Sequence, residues 1–293
     1  NISILEEIFN ETPKSNEDQS AIISAIETAT NTGNLDIILY LLNQMSKRDD
    51  KIGETQLISF LNNACRFGYL DIVQYFINEK HVSYTSDLFK GLYSASEFGH
   101  ISTVKFLCTL PKINLNYKYQ VTTDTPLTIA AYNGHLDIVK FLYKLNGVDV
   151  NHQLYNYRTA IFRAAEGQHY EVFKFLDENA SNKSDIIKIV DMGGWNLLEV
   201  ASQYDCVEVI KYLIEIKGFD INSHNSMPLQ KAIQNNCVNV IKYFLTLKNI
   251  KLINDDNGQT AIHFAAYYMI EDSLKIFIDS KAIDINARDK SGI

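Results

Sequence analysis

The sequence predicts an all-α solenoid of about eight helix–turn–helix units with short β-hairpin fingers between them. Three observations carry this reading. The stretch from Ala130 to Leu142, AAYNGHLDIVKFL, recurs down the chain with copies opening at Ala29, Ala64, Ala95, Ala130, Ala164, Ala201, Ala232 and Ala265. The spacing between copies runs from 31 to 37 residues, and a fixed period in this range is the mark of a repeat architecture. Three residues before each alanine stands Leu or Ile: Ile26, Leu61, Leu92, Leu127, Ile161, Leu198, Leu229 and Ile262. Finally, 4 Pro and 13 Gly in 293 residues are too few for a turn-rich β-sandwich.

Each copy reads as two helices. Leu127, Ala130 and Ala131 are spaced i, i+3, i+4 and make one apolar face on a short first helix. Thr125-Pro126 opens it, because a hydroxyl caps free N–H groups and proline suits the first helical position. Gly134-His135 ends it. A second helix runs from Leu136, with Ile138, Val139, Phe141 and Leu142 on one arc and Lys140 opposite. The same outer position holds Gln74, Lys105, Lys174, Lys211, Lys242 and Lys275, a solvated ridge. Two helices with so wide an apolar arc bury it only by stacking on neighbouring copies, and the alanine column lets the helices approach closely. Between pairs, Ile113–Asn116, Val148–Asn151, Phe219–Asn222 and Ile283–Asn286 read as small β-hairpins or loop fingers. Asn222–Met227 is short, so the seventh finger is expected to be truncated, and Ser181–Ile189 is expected to lengthen the fifth connection.

In domain terms, residues 1–20 are read as an N-terminal helix, the remnant of a preceding repeat or a cap, with Ile4–Phe9 resembling a second helix. Residues 21–285 hold eight repeats, and 286–293 start a further, truncated one. The chain is therefore expected to be a piece of a longer array or multidomain protein.

Composition narrows the function. With 46% hydrophobic and 21% charged residues the chain is not wholesale disordered. A net charge of −8 argues against a nucleic-acid partner and against anionic lipid surfaces. No apolar run is long enough for direct membrane insertion. Four scattered cysteines make no disulfide framework and suggest a reducing, cytoplasmic setting. His100, His135, His169, Cys206 and Cys237 share one repeat position, but equivalent residues of adjacent copies stand roughly 8–10 Å apart, too far for one zinc ion or a disulfide. Gly193-Gly194 reads as a turn, not a phosphate loop, and His263 as a structural neighbour of the Thr260 cap. No residue set stands out as catalytic, cofactor-binding or metal-binding, so the chain is not read as an enzyme.

These residues resemble the ankyrin-repeat family, whose period and Thr-Pro-Leu-His-x-Ala signature are known. The signature stands here as Thr125–Ala130, Thr159–Ala164 and Thr260–Ala265; the inter-helix Gly-His stands as Gly99-His100. The first three copies depart from it, with Ser24, Ser59 and Lys90 in place of Thr. A tetratricopeptide array shares the period but has neither the Thr-Pro-Leu start nor the Asp-Ile-Asn strings. The resemblance implies that the shared His makes a structural hydrogen bond to neighbouring loops. It also implies a protein-interaction scaffold that binds a protein or peptide on a concave face made by fingers and first helices, with the chain itself monomeric. Exposed first-helix positions would follow the alanine column by two and three: Asn31 and Thr32, Arg66 and Phe67, Glu97 and Phe98, Tyr132 and Asn133, Glu166 and Gly167, Gln203 and Tyr204, Gln234 and Asn235, Tyr267 and Tyr268. Tyr155, Tyr157 and Trp195 would join them from the fingers, and interface hot spots favour such residues. The other role the resemblance allows is the cytoplasmic module of a larger membrane or signalling protein. Asn116, Asn151, Asn222 and Asn286 match the hairpin position that asparaginyl hydroxylases modify in some members; their structural role would be a backbone hydrogen bond.

Overall fold

The computed structural model describes residues 16–48, 50–79, 86–180, 190–252 and 257–292. These residues form sixteen α-helices and no β-strand. In chain order they are α1 (Asn16–Asn31), α2 (Leu35–Lys47), α3 (Glu54–Phe67), α4 (Leu70–Asn78), α5 (Ser86–Glu97), α6 (Ile101–Leu107), α7 (Pro126–Tyr132) and α8 (Leu136–Lys144). There follow α9 (Ala160–Glu166), α10 (Tyr170–Asn179), α11 (Leu197–Gln203), α12 (Val207–Lys211), α13 (Ser223–Gln234), α14 (Val238–Leu245), α15 (Ala261–Tyr267) and α16 (Glu271–Ser280). A π-helical turn, Tyr212–Ile216, continues α12. None of the described helices is long and apolar enough to cross a membrane. The helix expected at Ile4–Phe9 and the insertion expected at Ser181–Ile189 lie outside the described residues.

The chain divides into two compact units, Asn1–Ala130 with Phe141–Val148 and Ala131–Lys140 with Asp149–Ile293. In the first unit, α1 packs on α3 and α3 on α5, while α4 packs on α6. In the second, the first helices α9, α11, α13 and α15 pack in sequence, and so do the second helices α10, α12, α14 and α16. This is the all-α repeat solenoid expected, built by like helices leaning on like.

The small-residue column explains the close stacking. All eight alanines, from Ala29 to Ala265, are buried, and the seven after Ala29 have no exposed surface at all. The Leu/Ile column is buried too, except Ile262, which is half-buried. Four residues after each alanine the backbone turns left-handed in every copy: at Gly33, Gly68, Gly99 and Gly134, then at Gln168, Asp205, Asn236 and Met269. The turn that separates the two helices therefore demands positive φ, which glycine adopts without strain and L-residues do not.

Three of the first helices, α7, α11 and α15, start on a side-chain cap at i and i+3, each with its own chemistry, whereas α3, α9 and α13 have no side-chain cap bond. Thr128 N–H donates to Thr125 Oγ1 (3.3 Å) and Thr125 N–H to Thr128 Oγ1 (2.8 Å). Glu199 N–H donates to Asn196 Oδ1 (3.1 Å) and Asn196 N–H to Glu199 Oε2 (2.8 Å). Thr260 N–H donates to His263 Nδ1 (3.1 Å). His263 thus holds the structural post expected of it, satisfying helix-terminal donors that would otherwise lack partners.

Of the two forms expected for the fingers, the described connections are loops, and the β-hairpin form is corrected. In four connections the residue before a recurring Asn is an apolar spacer, and the one before that turns the chain with its side chain. Asn116 N–H donates to Asn114 Oδ1 (3.0 Å), Asn151 to Asp149 (3.2 Å), Asn222 to Asp220 (2.9 Å) and Asn286 to Asp284 (2.9 Å). These Asx turns replace the ladder a strand pair requires. Asn side chains then reach the next connection: Asn116 Nδ2 donates to Gly147 O (2.8 Å) and Asn222 Nδ2 to Asn249 O (2.9 Å). The short seventh connection is absorbed into α13, which begins at Ser223 and carries Pro228 inside it.

On the second helices, the expected lysine ridge is largely exposed but is not merely solvated. Lys105 Nζ lies 5.9 Å from the Phe141 ring centre, Lys140 5.7 Å from Phe175, and Lys211 5.5 Å from Tyr243. Each lysine covers an aromatic ring of the following copy.

Candidate binding surface

In the first unit, α3 and α5 end beside one another. Arg66 and Phe67 close α3 and are exposed; Glu97 closes α5 half-buried, and Phe98 follows it 43% exposed. The Arg66 guanidinium lies 4.9 Å from the centre of the Phe98 ring. It makes no hydrogen bond or ion pair with any described residue. Asn62, Arg66, Lys90, Tyr93, Ser94, Glu97, Phe98 and Tyr119 line a cleft of about 350 Å³. The Tyr93 and Tyr119 rings stack at 4.9 Å and 12° on one side of it. Burial pushes the Glu97 carboxyl above the usual carboxylate range; Arg66 draws it down and Asp124 pushes it up again.

In the second unit the central feature is a buried charge cluster that single-sequence reasoning did not find. Arg158 Nε and NH2 both donate to Asp191 Oδ2, at 3.0 and 2.8 Å. Arg158 NH1 and Arg163 NH1 both donate to Glu166. Arg158, Asp191 and Glu166 are all buried, Glu166 against the expectation of an exposed first-helix position, because its carboxylate turns in to meet the two arginines. Asp191 in turn accepts from Gly193 N–H (2.8 Å) and Trp195 N–H (3.0 Å), which shapes the loop before α11. Rings close over the cluster. Arg163 stacks on Tyr132 with 3.9 Å to the ring centre, and Lys231 Nζ lies 3.4 Å from that of Trp195. Burial lowers the Lys231 ammonium below the usual lysine range, against the pull of Asp191 and Glu199.

The expected site residues therefore fall into three groups. Tyr155 at 82%, Tyr157 at 54% and Tyr267 at 79% are the open rings. Tyr268 is also exposed, with its hydroxyl accepting from Gln234 Nε2 (2.8 Å) and its ring edge-on to Tyr267. Phe67, Phe98 and Tyr132 are exposed but each lies against a ring or a guanidinium of its own unit. Asn133, Trp195, Gln203 and Tyr204 are half-buried, and Tyr204 joins the Arg158 network through its side chain. Arg158 stands one residue before the Thr159 box and Asp191 33 residues later, so neither carries a local signal; only an alignment of the copies would pair them.

At three of its five members the shared His/Cys position bonds the backbone of the preceding copy. His100 Nε2 lies 2.8 Å from Arg66 O, Cys237 Sγ donates to Gln203 O (3.3 Å), and His169 bonds the Tyr132 backbone. Each acceptor stands two residues after an alanine of the column. The sulfur of Cys237 thus does the work of an imidazole. Burial pushes the Cys206 and Cys237 thiols up to about 11. No group of three His, Cys, Asp or Glu among the described residues is placed to hold a metal ion.

Comparison with known proteins agrees with this geometry. The family model described as "Ankyrin repeats (3 copies)" matches four overlapping windows, residues 27–119, 61–154, 127–225 and 198–289. No curated protein sequence matches the chain. With family windows running from residue 27 to residue 289, a left-handed turn at one fixed place in every copy and a His or Cys bond reaching one period back, the chain belongs to the ankyrin-repeat family, whose repeats are in general protein-interaction modules.

Proposed function

We propose that this chain is a protein-interaction scaffold: residues 21–285, read as eight repeats, hold a partner protein or peptide on the concave side formed by first helices and connections. One observation supports this above the others. The open aromatic side chains Phe67, Phe98, Tyr132, Tyr155, Tyr157, Tyr267 and Tyr268 all belong to first helices, their ends or the connections before them, whereas the second helices present lysines. Exposed rings held by neighbours give a large contact area at low entropic cost, and such residues dominate interface energetics.

The scaffold acts by presenting fixed groups, not by chemistry. Arg158 and Asp191 brace two consecutive connections, so Tyr155, Tyr157 and Trp195 are positioned before a partner arrives. We take the protein as a cytoplasmic monomer without enzymatic activity. Site-specific photo-crosslinking tests the reading. A benzophenone side chain at Tyr155 or Tyr267 is expected to capture a discrete protein partner, and the same group at Lys105 or Lys275 is not. Equal capture from both sets, or capture from the lysine side alone, would overturn it.

A further inference from the structure

We propose that the cleft between α3 and α5 receives an acidic side chain of a partner peptide, with Arg66 as the carboxylate fork and Phe98 and Tyr119 as walls for the flanking residues. This rests on the scaffold reading above and specifies the chemistry of what one part of it binds.

Charge decides between an acidic and a basic guest. The charged side chains lining the cleft are Arg66, Lys90 and Glu97. The two cations are exposed while Glu97 is half-buried. Asp124, the further acid that acts on Glu97, is fully buried and accepts from Thr128 Oγ1 (2.8 Å). An incoming lysine or arginine would meet Arg66 and Lys90 before reaching either acid. An incoming carboxylate meets them first and favourably.

Arg66 is also prepared for the task. Its guanidinium lies over the Phe98 ring, 4.9 Å from the ring centre, which restrains the group while its N–H donors have no partner among the described residues. A planar fork of this kind pairs with a carboxylate through two parallel hydrogen bonds, a geometry lysine does not offer. The Arg66 fork has no ion-pair partner among the described residues, and burial disfavours the charged form of Glu97 beside it. A volume of about 350 Å³ lies at the lower end of ligand pockets and suits a side chain with its local backbone. The stacked Tyr93 and Tyr119 rings give that backbone a rigid apolar wall.

The test is fluorescence anisotropy on the full chain with a short labelled Gly/Ser/Leu peptide carrying two central glutamates, and with its glutamine and lysine counterparts. The glutamate peptide is expected to bind saturably and at least roughly tenfold more tightly than the other two. Arg66→Gln should weaken it by roughly tenfold or more, Arg66→Lys should restore only part of the loss, and Lys105→Gln, an exposed charge on α6, should change nothing. Four outcomes overturn the proposal: equal binding of the glutamine peptide, preference for the lysine peptide, indifference to Arg66→Gln, or no saturable binding up to about 1 mM. A phosphoserine peptide that binds where the glutamate peptide fails would also overturn the carboxylate assignment. If the peptides fail while crosslinking from Tyr155 and Tyr267 succeeds, the acidic guest is withdrawn and the scaffold stands; if crosslinking fails as well, both fall.

Discussion

Arg158 grips Asp191 with two of its nitrogens on a single carboxylate oxygen, at 3.0 and 2.8 Å, across 33 residues of sequence. Both side chains are buried, so each supplies the counter-charge without which the other would be costly to desolvate. Arg158→Met leaves Asp191 and Glu166 buried with one partner fewer. A loss of about 3–5 kcal/mol is expected in urea unfolding, far more than an exposed pair would give. A change below about 1 kcal/mol would mean that the cluster is hydrated and loosely held.

The alanine column is the tightest part of the stack. Ala201 is fully buried in α11, which has first helices α9 and α13 as neighbours. Ala201→Leu is expected to cost about 1–3 kcal/mol through overpacking, measured as a drop in the urea midpoint at unchanged slope. An unaltered midpoint would show that the stack has room to spare.

Met269 sits at the left-handed turn position with φ of 56° and its side chain 85% exposed. Met269→Gly removes backbone strain of about 1–2 kcal/mol and loosens the unfolded chain by about 0.4–1 kcal/mol. A net gain of about 0.5–1 kcal/mol is therefore expected in thermal melts, the reverse of the usual effect of glycine. A loss would mean that the thioether has a contact worth more than the strain.

Acid should weaken the fold through His169. Burial holds this imidazole below the ordinary histidine value, and the His135 charge adds to the effect. The unfolded chain takes up a proton below about pH 6.5 that the folded chain resists. The stabilising contribution is thus present above that pH and is lost as pH falls through the lower folded value. His169→Gln is expected to flatten the decline in the urea midpoint between about pH 7 and about pH 5. An identical decline in both proteins would assign the acid sensitivity elsewhere.

Much of the fold was legible because the recurring copies report on the same few positions. The buried alanines, the Leu/Ile column, the Gly134 turn and the Thr260–His263 cap all follow from residue type at a fixed register. The form of the fingers was not, since Asp-Ile-Asn satisfies both an alternating strand pattern and an Asx turn; in the structure Asn286 N–H donates to Asp284 Oδ1 and the turn wins. Left-handed residues at Gln168, Asp205 and Asn236 were hidden for want of glycine. At the candidate surface, the exposed rings could be listed from register, but the Arg158 cluster could not, because its members are joined across a period. Tyr204, expected to be open, is half-buried for that reason.

The bond from His100 to the Arg66 carbonyl recurs from His169 to Tyr132 and from Cys237 to Gln203, and it uses a main-chain acceptor whose side chain is different each time. Neighbouring copies are thus coupled through a coupling that ignores their individual sequence. A gene that duplicates or loses one whole period would keep this junction intact while changing which side chains are displayed, so the array can be lengthened or trimmed without redesigning how its parts join.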